Sequence, residues 1–245
     1  RAALWVASRH PDWSGEVVRL LRTRFRTKEA PPDEAEAVQQ TLLALCENGE
    51  MQKAIGELLL LDTMEQCAVK DFPSPWTERL RQQLRDRDAA ARGRVVALVR
   101  SRQIAALDDE LEQVAAGERE SGDLRAAALG VLVSRRPAIA EAGFRFLLSL
   151  LRPETDADLR QTAAQILGRA KLSDAQLLLL AREHLSQADP LILPNLLDAF
   201  RAARSEEVGK ALVSGLVHSP HPADGIAAER LPEMLKSFPA AVQSA

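Results

Sequence analysis

The sequence has no tyrosine, and its aromatic residues make up only 4% of 245 positions. A β-sandwich or barrel fills its pleated surface with aromatic and β-branched side chains, so this composition points away from one. Cysteine is nearly missing as well: Cys46 and Cys67 are too few for a disulfide framework or a zinc site. On consecutive antiparallel helices Cys46 would sit beside a turn at Asn48-Gly49, and Cys67 would lie about 24 Å along the next helix at 1.5 Å per residue. They are therefore read as separate, buried, small apolar side chains. No apolar run approaches the roughly 20 residues that span a bilayer, and the start lacks a charged segment followed by an apolar one. Also missing are a glycine-rich phosphate loop, a Gly-x-Ser-x-Gly elbow, a His-Glu-x-x-His helix and a Cys-x-x-Cys pair. The expectation is a region with no catalytic site, metal or cofactor of its own and no membrane insertion.

What is present suits helices packed through Leu, Ala and Val: 46% of residues are hydrophobic and 27% charged. A net charge of −3 exerts no global pull on nucleic acid or anionic lipid. Charge is uneven locally, with basic residues dominating 1–28 and 79–102 and acidic ones dominating 29–71 and 108–123. Such blocks usually form solvated helix faces.

The productive signal is internal repetition. Asp123-Leu124-Arg125-Ala126-Ala127-Ala128-Leu129 recurs 35 residues later as Asp158-Leu159-Arg160-Gln161-Thr162-Ala163-Ala164. Small or apolar residues follow each Arg at three, four and seven positions, namely Ala128, Leu129 and Leu132, then Ala163, Ala164 and Leu167; that spacing places them on one helical face. The register also fits Arg92 with Val95, Val96 and Val99, and Leu193 with Leu196, Leu197 and Phe200. It fits Ala3, Leu4 and Ala7 at the start, and more weakly Val38 with Thr41, Leu42 and Leu45.

Turn signals follow each copy and lead into a second apolar-periodic segment. His10-Pro11-Asp12 precedes Val17, Val18, Leu21 and Phe25; Asn48-Gly49 precedes Met51–Leu61; Arg136-Pro137 precedes Ile139–Leu151; and Ser173-Asp174 offers an N-cap for Ala175–His184. A helix pair of this length cannot bury its apolar stripe alone, so neighbouring pairs must stack. The fold expected is all-α: a right-handed α-α superhelix of about six helix pairs, one array over 1–245, with an insertion near 69–87.

The Arg-x-x-Ala register behind an acidic residue resembles the HEAT repeat family. That resemblance implies that the Asp caps the first helix and that the Arg pairs with an acidic residue of the next repeat. Asp123 and Asp158 directly precede Leu-Arg, while Asp156 is equally placed to cap. The second copy lacks the Arg, and the last has Leu193 in its place.

Within the insertion, Asp71-Phe72-Pro73-Ser74-Pro75-Trp76 holds two prolines that should stop a helix, with Thr77–Leu84 restarting one. Phe72 and Trp76 either pack over the helices or form a partner-binding tip; isolated aromatics usually pack. Arg19, Arg22 and Arg26 share one side of a helix, opposite Val17, Val18, Leu21 and Phe25. With no aromatic interleaved for base stacking, that stripe suits an acidic protein surface or solvent rather than nucleic acid. His218-Ser219-Pro220-His221 reads as a surface turn, His10 and His184 as turn and helix-end residues, and Asp108-Asp109-Glu110 as a helix start favoured by the helix dipole.

The opening Arg1-Ala2-Ala3-Leu4-Trp5-Val6-Ala7-Ser8-Arg9-His10-Pro11-Asp12-Trp13 is similar to the HEAT segment of planctomycete-type membrane-bound dehydrogenases. So is the close, Glu229-Arg230-Leu231-Pro232-Glu233-Met234-Leu235 with Phe238-Pro239-Ala240-Ala241-Val242. That resemblance implies a spacer and docking scaffold excised from a longer, exported or periplasmic bacterial oxidoreductase, between a sugar-dehydrogenase-like propeller and a c-type haem domain. Haem c would belong to the parent chain, since Cys-x-x-Cys-His is absent here and no haem-binding residue is carried over. The partners expected are neighbouring domains of the same chain or another protein. The rival expectation is a free-standing cytosolic HEAT adaptor that grips a protein along its concave face. An enzymatic reading would resemble phycobilin-lyase-related HEAT proteins, but nothing marks a chromophore site.

Overall fold

The three-and-four apolar spacing is realised as helix. The computed structural model describes residues 2–26, 41, 44, 61–62, 64–65, 72, 74–86, 88–219 and 230–243. Among these residues there are thirteen α-helices and no strand. The one isolated β-bridge joins Ala138 and Lys171, with the Lys171 amide donating to the Pro137 carbonyl at 2.7 Å. The Val38 copy apart from Thr41 and Ala44, both cysteines, Asn48-Gly49, most of Met51–Leu61, Pro220 and His221 lie outside the described residues. The chain divides into two compact units, Arg1–Glu110 and Leu111–Ala245.

In the first unit α1 (Ala2–Arg9) leads through a 3-10 turn (Pro11–Trp13) into α2 (Ser14–Arg26), and Ala7, Val17 and Val18 are buried. Then come α3 (Ser74–Leu84), α4 (Ala89–Arg102) and the start of α5 (Asp108–Ala116). Helix α3 begins at Ser74, three residues before the expected Thr77. Pro75 sits in its first turn, where the missing N–H has no intrahelical partner to lose. Asp88 caps α4, its Oδ1 accepting from the Ala90 and Ala91 amides at 2.9 and 3.2 Å. The helix ends at Gln103, whose φ of 53° is the left-handed value that stops a helix and usually falls to glycine. Arg92, Val95, Val96 and Val99 are buried, as the register requires.

An ionic cluster ties α3 to the start of α5. The nearly buried Glu110 carboxylate accepts from Arg81 Nε at 2.8 Å and from Arg85 Nη2 at 3.3 Å, and Arg81 also donates to the Ala106 carbonyl at 3.1 Å. Hydrogen bonds to Glu78 first and Glu110 second raise the Arg81 guanidinium above its ordinary ionisation range. Asp108 does open α5, as its position in sequence suggests.

In the second unit α6 (Gly122–Arg135), α7 (Glu141–Ser149), α8 (Ala157–Arg169), α9 (Asp174–Glu183), α10 (Leu193–Asp198) and α11 (Glu206–Val217) alternate in contact. Helix α6 packs on α8 and α8 on α10, while α9 packs on α11. The short α12 (Arg230–Leu235) and α13 (Ala240–Gln243) follow, and α13 lies against α11. The register residues Ala128, Leu129 and Leu132, Ala163, Ala164 and Leu167, and Leu193, Leu196, Leu197 and Phe200 are all buried. Each fully buried leucine contributes about 1.5–3 kcal/mol.

The caps settle which acidic residue does what. Ser121, not Asp123, caps α6 by accepting from the Leu124 amide at 3.3 Å, and Asp123 stands in the first turn. Asp156 caps α8, accepting from the Asp158 and Leu159 amides at 2.9 and 3.3 Å. Ser173 and Gln176 form the capping box of α9, where the Ser-Asp signal placed a helix start.

Candidate functional site

Of the arginine stripe, Arg19 is exposed and pairs with Glu16 one turn earlier on α2. Arg22 and Arg26 belong to α2 by backbone, but their side chains, like that of Phe25, lie outside the described residues. Trp76 is 1% exposed, and half-buried Phe72 meets it edge-on with ring centroids 5.5 Å apart. Trp76 therefore packs, the first of the two readings of this segment, and does not belong to an exposed partner-binding tip. Once α3 starts at Ser74, this side chain falls on the same inward face as Leu80 and Leu84.

The repeat arginines part company. Arg160 donates to the Pro153 carbonyl at 3.2 Å and its Nη2 stands 3.7 Å from Asp189 Oδ2, ahead of the next helix pair. Arg125 makes a different set of contacts. Its Nε donates to the Ala115 carbonyl at 2.9 Å and its guanidinium lies 3.8 Å over the Phe146 ring, so it bridges α5 and α7 instead of reaching forward to an acid.

Arg125 also lines an apolar groove of about 520 Å³ that sequence reading missed. Leu129, Leu132 and Val133 of α6 form its floor. Ala115 and Ala116 at the end of α5 face Ala138, Ile139 and Ala142 at the entry to α7. Arg136 and Glu112, which line it as well, form an ion pair at 3.1 Å. Nothing in the local sequence announces the groove, because its walls come from three elements whose alanines read individually as helix-forming filler.

A second cleft, of about 450 Å³, lies between α9 and α11 and is lined by Arg182, Glu207, Lys210 and His218 together with alanine and serine. Arg182 meets Glu207 at 2.9 Å and Lys210 meets Glu206 at 2.6 Å. His218, at the C-terminal cap of α11, places Nδ1 2.7 Å from the Ser214 carbonyl oxygen. The helices close tightly beneath: a β-carbon on Gly215 would stand 2.7 Å from the Ala181 carbonyl oxygen. His184 caps the C-terminus of α9 as expected. Burial lowers its pKa and Arg152 lowers it further, against an upward pull from Glu183.

Sequence reading also passed over the exposed tryptophans of the first unit. Trp5 and Trp13 are 61% and 54% exposed; Arg9 lies 5.2 Å over the Trp5 ring, and His10 stacks on Trp13 at 4.8 Å. Among the described residues no three His, Cys, Asp or Glu side chains gather as a metal site, and no helix is long and apolar enough to cross a membrane. The sequence holds no Cys-x-x-Cys-His, so its residues do not fit covalent haem attachment. Comparison with family models, curated proteins and solved structures finds no match.

Proposed function

We propose that this chain is a HEAT-like helical-repeat scaffold that docks protein segments, either neighbouring domains of its own parent chain or a separate partner. The observation that carries the reading is the coincidence of sequence repeat and packing. The same register is buried in α6, α8 and α10, and these helices touch in order, as stacked pairs in a solenoid would. Such arrays present long surfaces built from successive second helices, and the cleft between α9 and α11 is lined by two of these.

The similarity of 1–13 and 229–242 to dehydrogenase HEAT segments supports a spacer role within an exported oxidoreductase that carries haem c elsewhere. The rival is a free-standing adaptor. The gene on either side of this segment separates them: an upstream export signal and a downstream Cys-x-x-Cys-His select the spacer, and their absence selects the adaptor. Cross-linking of the whole parent protein tests docking itself. Links from Lys210 or Lys171 to other domains or to a bound protein are expected, and a parent in which neither lysine links outside 1–245 would overturn the scaffold reading.

A further inference from the structure

We propose that α12 and α13 form a cap, a strap that closes the outer side of α11 and keeps it from pairing with the same side of a second copy of this chain. The proposal rests on the scaffold reading only in taking α11 for the second helix of a stacked pair. Helix α11 receives neighbours on two sides. At Gly215 it receives α9, where the missing β-carbon lets the Ala181 carbonyl come close. Gly209 stands six residues earlier, about 120° round the helix at 3.6 residues per turn, and shares its side with Leu212 and Leu216. The cleft residues Glu207, Ala211 and Ser214 lie about half a turn away from it.

The notch at Gly209 is filled by two side chains rather than by a helix backbone. A β-carbon there would stand 2.8 Å from Phe238 Cδ1 and 2.8 Å from each Val242 methyl carbon. Phe238 and Val242 are 3% and 1% exposed, and Leu212 and Leu216 are buried too. The strap is otherwise held from within. Ser237 Oγ donates to the Met234 carbonyl at 2.9 Å, Gln243 Nε2 donates to the Phe238 carbonyl at 2.8 Å, and Lys236 pairs with Glu233 at 2.6 Å. Toward the rest of the unit, Ser237 Oγ also reaches the Ala203 carbonyl at 3.4 Å. Glu233, Lys236, Ala241 and Gln243 are exposed, so a side of α11 that carries leucines is exchanged for a surface of charge, amide and methyl groups. A repeat array needs such a polar outer face where its stacking stops. A segment anchored by two side chains, with most of its polar bonds internal, opens at a lower free energy than the helices beneath it.

Two variants of the whole chain test this by hydrogen–deuterium exchange and sedimentation velocity. Gly209→Leu fills the notch, and Phe238→Ala with Val242→Ala removes the anchors without touching α11. In both, the hydrogen-bonded amides of Ser237, Phe238 and Val242 should exchange about tenfold faster or more, while α6, α8 and α9 exchange as in wild type. The wild-type monomer should give way to a concentration-dependent dimer. Adding Val213→Lys, at a half-buried position on the same side of α11, to the anchor variant should abolish that dimer. Unchanged exchange in the strap overturns the cap. So does faster exchange spread evenly over the second unit, which would make the strap part of the packed core. A released strap on a chain that stays monomeric, or a dimer that survives Val213→Lys, overturns it as well. None of these outcomes bears on the cross-links from Lys210 or Lys171, so the scaffold reading stands or falls separately.

Discussion

The carbonyl oxygen of Asn195 occupies the space that a β-carbon on Gly168 would need, so α8 and α10 meet backbone to backbone at that point. Gly168→Ala must push the two helices apart and should cost about 1–3 kcal/mol by overpacking. Gly93, in α4, has no atom of the described residues within 4 Å of where a β-carbon would go. Gly93→Ala should therefore stabilise by about 0.5–1 kcal/mol through reduced chain entropy. Urea midpoints of the two variants should move in opposite directions.

Asp156 and Asp158 are separated by one residue, and only the first makes cap hydrogen bonds to α8. Asp156→Ala should cost about 1 kcal/mol. Asp158→Ala loses only a first-turn dipole interaction worth about 0.3–1 kcal/mol when exposed. Equal losses in thermal denaturation would show that the cap is shared.

Gln83 is 2% exposed, and among the described residues neither its amide oxygen nor its nitrogen has a hydrogen-bond partner. A buried unsatisfied polar group costs about 1–3 kcal/mol, whereas an apolar group of the same shape avoids that cost. Gln83→Met should raise the denaturation midpoint, and a lowered midpoint would mean that the amide is satisfied in solution.

His184 has a folded pKa below its ordinary value of 6.5, chiefly from burial. As pH falls through 6.5 the unfolded chain therefore takes up the proton first. The contribution is fully present above pH 6.5 and is lost as pH falls from there toward the folded value. His184→Gln should flatten that part of the stability profile, read as the difference between variant and wild-type urea midpoints from pH 8 to pH 5. A parallel offset at every pH would remove His184 from the account.

Ala163→Phe tests the repeat register itself. Ala163 is fully buried, and a ring there should cost about 1–3 kcal/mol. An unchanged denaturation midpoint would mean that the register does not mark the packed face.

Much of this architecture was legible in the chain because helical periodicity is a local property. The Arg125 and Arg160 copies, spaced 35 residues apart, placed Ala128, Ala163 and Leu167 on buried faces, and the Ser173 signal marked the start of α9. Side-chain chemistry and spacing alone decide which face of a helix must avoid water. Tertiary structure decided what that face meets. Asp123 and Asp158 hold the same repeat position as cap candidates, yet in both copies the cap falls two residues earlier, at Ser121 and at Asp156. Arg125 and Arg160 hold the same repeat position, but a neighbouring phenylalanine ring and a helix-end carbonyl capture one while Asp189 is within reach of the other. The groove over Leu129, Leu132 and Val133 follows from the same limit. It arises from the separation of three elements, a quantity set by packing between residues distant in sequence and therefore not encoded in any single stretch of it.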